Sequence, residues 1–350
     1  MTWNGAALEF ARRDAGLTHQ ELINELQWTV QPAAISRYES DTRTPSDDQV
    51  KELARFFKVT EEYFTFPESP HGALATEAHM RRQQSERPAV WGRIEAKLGL
   101  YRRHLTMLMR SANVRAAFVV PRVDPIDTTP EEAARYVRAM WRVPVGPVQS
   151  MVRLLEAAGC FVIFEDFGTR RIDGMSMWGA SWPVVIVNSS MPPDRIRLTL
   201  AHELGHLVMH DGHMSFDPEG DANKFAAEFL MPESTISPDL RKSRLDLGAL
   251  ADFKMEWRVS MQALFERARA LGYADDDDRR RFYIAMNKRG WKVSEPNGEY
   301  CTEPTPRLLG TVLEQMSSGG YAPSDIASVS GYEELPPLFA VAGRGGLRAV

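Results

Sequence analysis

Leu200-Ala201-His202-Glu203-Leu204-Gly205-His206-Leu207-Val208-Met209 sets an H-E-x-x-H pattern inside an apolar run. Positions i and i+4 stand one above the other on an α-helix, so the two imidazoles can reach a single ion, and Glu203 sets a carboxylate beside it. The bland alternative is two histidines on a polar helix face. It fits poorly, because Leu200, Ala201, Leu204, Leu207 and Val208 describe a buried helix, where ionisable groups are costly unless a metal or a charge compensates them. The spacing therefore predicts a metal centre of the kind that hydrolyses peptides.

A catalytic zinc needs a third protein ligand and an open position for water. His210 lies eight residues after His202, about 12 Å along the helix at about 1.5 Å per residue, too far to share the ion. His213 follows Gly212, where the chain can turn back, but the eleven-residue metzincin pattern would put Gly at Met209 and His at Gly212. Glu219 is the better candidate. Ala222, Phe225, Ala226, Phe229 and Leu230 have helical spacing, Pro232 marks the stop, and Glu219 falls in the first turn on the Ala222 and Ala226 face. Asp221, off that face, is the second choice. The other reading of Glu219 is a first-turn acid that complements the helix dipole.

With these residues the chain resembles the ImmA/IrrE metallopeptidases. The likeness rests on Arg195-Ile-Arg-Leu-Thr-Leu-Ala-His-Glu-Leu-Gly-His206 and on Glu219-x-x-Ala222-Asn223-x-Phe225-Ala226-Ala227-x-x-Leu230-Met231-Pro232. Upstream, Gly146-Pro147, Leu155-Glu156, Ile172-Asp173-Gly174 and Val185-Ile-Val-Asn188 are similar to that family, as are Trp257 to Leu264 and Arg267 to Gly272 downstream. The resemblance runs from about residue 85 to about residue 310. It implies His202, His206 and Glu219 as Zn²⁺ ligands and Glu203 as catalytic base. It also implies a regulatory, site-specific protease whose substrate is an Xre-type repressor, induced by DNA damage, stress or mobile elements. The ligand types also suit Mn²⁺ or Fe²⁺. An oxyanion donor is usual, and His210, His213 or a distant Arg or Tyr are all open candidates.

Near the N-terminus, Leu8 to Leu22 reads as a helix, a Gly16 stop, a Thr18 cap and a second helix. Ala34-Ile-Ser-Arg-Tyr-Glu39 reads as a third, and Pro45 to Phe57 as two further short ones. This stretch resembles an Xre-type helix-turn-helix over residues 5–66. Groove contact would fall to Gln31, Ser36 and Arg37, and backbone phosphate contact to Arg12, Arg13, Arg37 and Arg43. The charge argues for weak binding: residues 1–66 carry seven Lys or Arg against eleven Asp or Glu. A bundle kept for dimerisation, or for recognising another helix-turn-helix protein, is the competing reading.

Composition agrees with a multi-domain protein of the cytoplasm. The 350 residues carry a net charge of −5, which favours neither a membrane surface nor bulk nucleic-acid binding. Cys160 and Cys301 are too few for a disulfide framework, and neither is expected to be catalytic. Glu9, Arg12 and Arg13 break the first apolar stretch, so no secretory leader is expected, and no run approaches the roughly 18 apolar residues of a membrane span. Phe161 to Phe164 and Val184 to Val187 are the strand candidates. Asp275 to Arg281 reads as a solvated loop.

The expected fold is mainly α with a small β-sheet. It comprises a helix-turn-helix bundle at 5–66, a linker at 67–84, an α+β zincin-like core at 85–235, a helical region closing it at 236–302, and a helical appendage at 303–350 that covers the peptidase or aids dimerisation. The expected function is a zinc endopeptidase that controls transcription by cutting a partner such as an Xre-type repressor, with DNA bound through residues 5–66 of a homodimer. The alternative is a transcription factor or antitoxin-like binding protein with an inactive peptidase fold.

Overall fold

A computed structural model describes residues 2–67, 88–212, 215–242 and 245–342. Most of the expected linker, His213 and the glycine-rich C-terminal end lie outside the described residues.

The N-terminal bundle is built by its caps. Helices α1 (Gly5–Asp14), α2 (His19–Leu26), α3 (Pro32–Glu39), α4 (Asp47–Phe57) and α5 (Glu61–Thr65) close over Leu8, Leu22, Ile35, Tyr38, Leu53 and Tyr63. Thr18 opens α2 with a capping box shared with Glu21, and Ser46 opens α4 with one shared with Gln49. Gly16, at φ +73°, makes the left-handed turn between α1 and α2. Pro45 to Phe57 holds one helix rather than the two expected. Once Ser46 has capped it, no Gly or Pro interrupts its course, and the next helix starts only at Glu61.

The long helix α6 (Pro88–Ser111) joins this bundle to the rest of the molecule. On it Gly99 leaves room for α1, since a Cβ there would stand 2.9 Å from the Phe10 ring. Arg103 and His104, each 1% exposed, face the bundle: Arg103 donates to the carbonyls of Tyr63 and Phe66, and His104 stacks on Tyr63.

A three-stranded sheet divides the second domain into two cores. Strands β1 (Phe161–Glu165), β2 (Gly174–Trp178) and β3 (Pro183–Asn188) run in the order β1-β3-β2, with β1 parallel and β2 antiparallel to β3. Val185 and Val187 of β3 point to one core, and Val184 and Ile186 to the other, as period-two alternation requires. The first core holds α7 (Pro130–Met140), α8 (Met151–Ala157), the H-E-x-x-H helix α9 (Pro193–Met209), and α10 (Pro218–Leu230) through Phe225, Ala226, Phe229 and Leu230. β1 and β3 match their expected strands. β2 was not foreseen, because Gly-Met-Ser-Met-Trp has no β-branched residue.

Beyond α10 follow α11 (Glu233–Lys242), α12 (Leu247–Trp257), α13 (Met261–Ala270) and α14 (Asp276–Lys288). Helix α14 replaces the loop expected at Asp275 to Arg281. Asp275 caps it, Asp276, Asp277 and Asp278 complement the dipole of its first turn, and Phe282 and Met286 bury one stripe. At the C-terminal end α15 (Leu308–Ser318), α16 (Pro323–Val329) and α17 (Pro337–Ala342) cover the sheet's second face through Val312, Leu313, Met316 and Ile326. The same segment also reaches the N-terminal bundle. Tyr332 forms a β-bridge with Val59 and stacks on His104 at 3.6 Å, Thr60 N donates to the Gly331 carbonyl, and Glu333 N to that of Lys58.

Candidate metal centre

Helix α9 is anchored at its N-terminal end before any functional side chain is considered. Asp194 in its first turn receives the Lys254 ammonium at 2.6 Å, and Lys254 also pairs with Glu295 at 2.9 Å. Arg197 pairs with Glu303, both 1% exposed, while Glu303 caps α8 through the Met151 and Val152 amides. These buried pairs tie α9 to elements more than 50 residues downstream. On the facing side Gly205 lets α10 cross closely, since a Cβ there would meet the Ala222 Cα at 3.1 Å.

That crossing brings three donors together. His202 Nε2 and His206 Nε2 are 3.0 Å apart, and the Glu219 carboxylate oxygens stand 3.4 Å from each imidazole. Every donor atom of the trio lies within 4.8 Å of the others, and it is the metal-type cluster found among the described residues. A tetrahedral zinc with bonds of about 2.0–2.1 Å sets neighbouring donors about 3.3 Å apart, so the spacing and the N, N, O chemistry both fit. Asp221, the second choice, turns away: it accepts from Ser215 and faces His210. His210 does not join the trio but stands behind His206, with the two Nδ1 atoms 2.9 Å apart. His202 Nδ1 in turn meets Asn223 Oδ1 at 3.0 Å.

Glu203 is 2% exposed and lines the same cleft of about 710 Å³ as His202, Glu219 and Asn223. The Ser176 hydroxyl, on β2, donates to its Oε2 at 2.6 Å. Gly174, also on β2, keeps the strand close to α9, since a Cβ there would stand 2.6 Å from Thr199 Cγ2. Reading the sequence missed Ser176, and only recognition of β2 as a strand could have exposed it. Burial pushes the Cys160 thiol up, and the Cys301 thiol up to about 11, which suits neither to nucleophilic work.

The helix-turn-helix residues are arranged differently. Gln31 is the exposed N-cap residue of α3 without a side-chain capping bond, and Ser36 and Arg37 are exposed on the same helix. Arg12 and Arg13 were expected to reach phosphates. The Arg12 side chain is only 11% exposed and is bound to Glu39 at 2.6 Å, and Arg13 pairs with Glu9 and with Glu95 of α6.

Residues 155–269 match the family model described as an IrrE N-terminal-like domain, a peptidase family, and residues 8–64 match one described as a helix-turn-helix. The chain carries a peptidase-type IrrE N-terminal-like domain behind a helix-turn-helix domain. No curated protein matches it. The peptidase match spans β1 to β3, the H-E-x-x-H helix, Glu219 and α13. The helix-turn-helix match runs from within α1 through α4 and most of α5. A metallopeptidase fold with a His/Glu group is therefore joined to a DNA-binding-type domain. No helix among the described residues is long and apolar enough to cross a membrane.

Proposed function

We propose that this chain is a zinc-dependent endopeptidase of the cytoplasm that controls transcription, as part of a stress response, by cutting a partner protein such as an Xre-type repressor. The observation that carries the reading is the His202, His206 and Glu219 triangle, with edges of 3.0 and 3.4 Å, beside a buried Glu203. A divalent metal held by those three residues would supply Lewis-acid polarisation of the scissile carbonyl and a water acidified toward about pH 7. Glu203 is the general base. With Oε2 engaged by Ser176, its other oxygen is left to take a proton from water and return it to the leaving amine. β2 is an edge strand whose Gly174 lines the cleft with Glu203, and it would receive the substrate backbone as an added strand.

The helix-turn-helix domain would bring the peptidase to its site of action. In this reading the chain binds DNA as a homodimer on half-sites about 34 Å apart, with Gln31, Ser36 and Arg37 toward the groove. Affinity is low, because two of the expected phosphate contacts, Arg12 and Arg13, are spent on internal pairs. The competing reading, a binding protein with an inactive peptidase fold, has against it a complete base and donor set. The test is to incubate wild type and Glu203→Gln with a panel of purified Xre-type repressors. Cleavage at one site by wild type alone supports the proposal. Equal cleavage by both proteins removes Glu203 from the mechanism, and cleavage by neither favours the binding-protein reading.

A further inference from the structure

We propose that His210 is a positioning residue for the metal centre, accepting the proton of His206 Nδ1 while Asp221 holds His210 in the tautomer able to do so. The inference rests on the reading of His202, His206 and Glu219 as ligands. A neutral imidazole that binds metal through Nε2 carries its proton on Nδ1, and the acceptor it meets there fixes both ring orientation and tautomer.

His206 Nδ1 lies 2.9 Å from His210 Nδ1, a contact that needs one donor and one acceptor. If His206 donates, the proton of His210 must sit on Nε2. That nitrogen faces the Asp221 carboxylate at 4.0 Å, beyond direct hydrogen-bond reach, where the negative charge favours the tautomer that turns its N–H toward it. Asp221 is itself oriented by the Ser215 hydroxyl. His210 is 3% exposed and ends helix α9, its amide bonded to the His206 carbonyl at 2.9 Å, so the ring has little freedom to turn away.

His202 is treated in the same way, its Nδ1 meeting Asn223 Oδ1 at 3.0 Å. Helix α10 thus supplies a metal donor, Glu219, an acceptor for one histidine, Asn223, and the carboxylate that orders the acceptor of the other, Asp221. H-E-x-x-H-x-x-x-H in this chain is then two ligands, a base and a support. The last histidine lies too far along the helix to bind the ion and in the right place to hold the one that does.

The experiment measures Zn²⁺ affinity of the full chain by competition with a chromophoric chelator at one fixed pH. His210→Ala is expected to weaken binding about 10- to 100-fold, and Asp221→Asn about 10-fold. His210→Asn, whose Oδ1 can take the place of the Nδ1 acceptor, is expected to recover most of the loss. That rescue separates positioning from mere packing. Should His210→Ala fail to fold, Asp221→Asn and His210→Asn still decide the question. Wild-type affinity in Asp221→Asn and His210→Ala overturns the proposal, as does a folded His210→Asn no better than His210→Ala. A wild-type chain that binds no Zn²⁺ overturns the ligand assignment beneath it.

Discussion

The H-E-x-x-H helix and the third helix of the N-terminal bundle each carry three candidate functional side chains, but the two sets meet different surroundings. On α9, His202, Glu203 and His206 are each gripped by a second residue, respectively Asn223, Ser176 and His210. On α3, Gln31, Ser36 and Arg37 are exposed. A metal site needs geometry fixed within a fraction of an ångström, so each of its side chains is given a supporting contact. A groove-reading surface must meet its target in water, so its fold is fixed from behind and its reading residues are left open.

Chemistry gives the sharpest way to break this comparison. Glu203→Gln keeps the shape of the side chain but cannot accept a proton. Proteolysis should fall by about 10²- to 10⁴-fold while metal content and far-ultraviolet circular dichroism stay as in wild type. Cleavage within a few-fold of wild type would place the base elsewhere.

Support for α9 should show next, as stability. Arg197→Met leaves Glu303 buried without its cation and is expected to cost about 3–5 kcal/mol in urea unfolding. The exposed Arg37→Ala should stay within about 0.5 kcal/mol of wild type in the same assay. Similar losses for the two would mean that α9 is not anchored as described.

On the N-terminal side the effects are smaller. If Arg37 reads a base, Arg37→Ala weakens operator binding by about 1–3 kcal/mol and relaxes sequence preference, and wild-type binding falls steeply with salt. Arg12→Ala should instead lower the melting temperature, since its guanidinium holds α1 to α3 through Glu39. A selection from random duplexes that enriches no motif, with Arg37→Ala indistinguishable from wild type, would turn this surface toward protein partners.

The joint between the domains should respond to acid. Burial between Tyr63 and Tyr332 pushes the His104 pKa down to about 3, from 6.5. Below pH 6.5 the unfolded chain takes up a proton that the folded chain refuses, so stability is full above that pH and is lost as pH falls toward about 3. The melting temperature followed from pH 7.5 to pH 5, values chosen to be about one unit above and about 1.5 below the unfolded pKa, should fall less in His104→Phe than in wild type. Parallel slopes would remove His104 from the account.

What the sequence disclosed divides along the same line. The H-E-x-x-H spacing, the first-turn position of Glu219 and the Thr18 cap are local patterns, and each reads directly from a few residues. Ser176, Lys254 and Glu303 are not legible that way, because β2 lacks a strand-like composition and the ion pairs of α9 span 60 and 106 residues. Charge misled in two places. Asp275 to Arg281 reads as a loop until Phe282 and Met286 are counted into its stripe, and Arg12 and Arg13 read as free cations until Glu39, Glu9 and Glu95 close on them.

The central claim is that His202, His206 and Glu219 form a metal centre served by Glu203. Divalent metal per chain, measured by plasma mass spectrometry on wild type, Glu203→Gln and the His202→Ala/His206→Ala double variant, tests it most directly. The account predicts one ion per chain in the first two proteins and none in the third. Equal metal in all three, or none in wild type after dialysis against Zn²⁺, would contradict it.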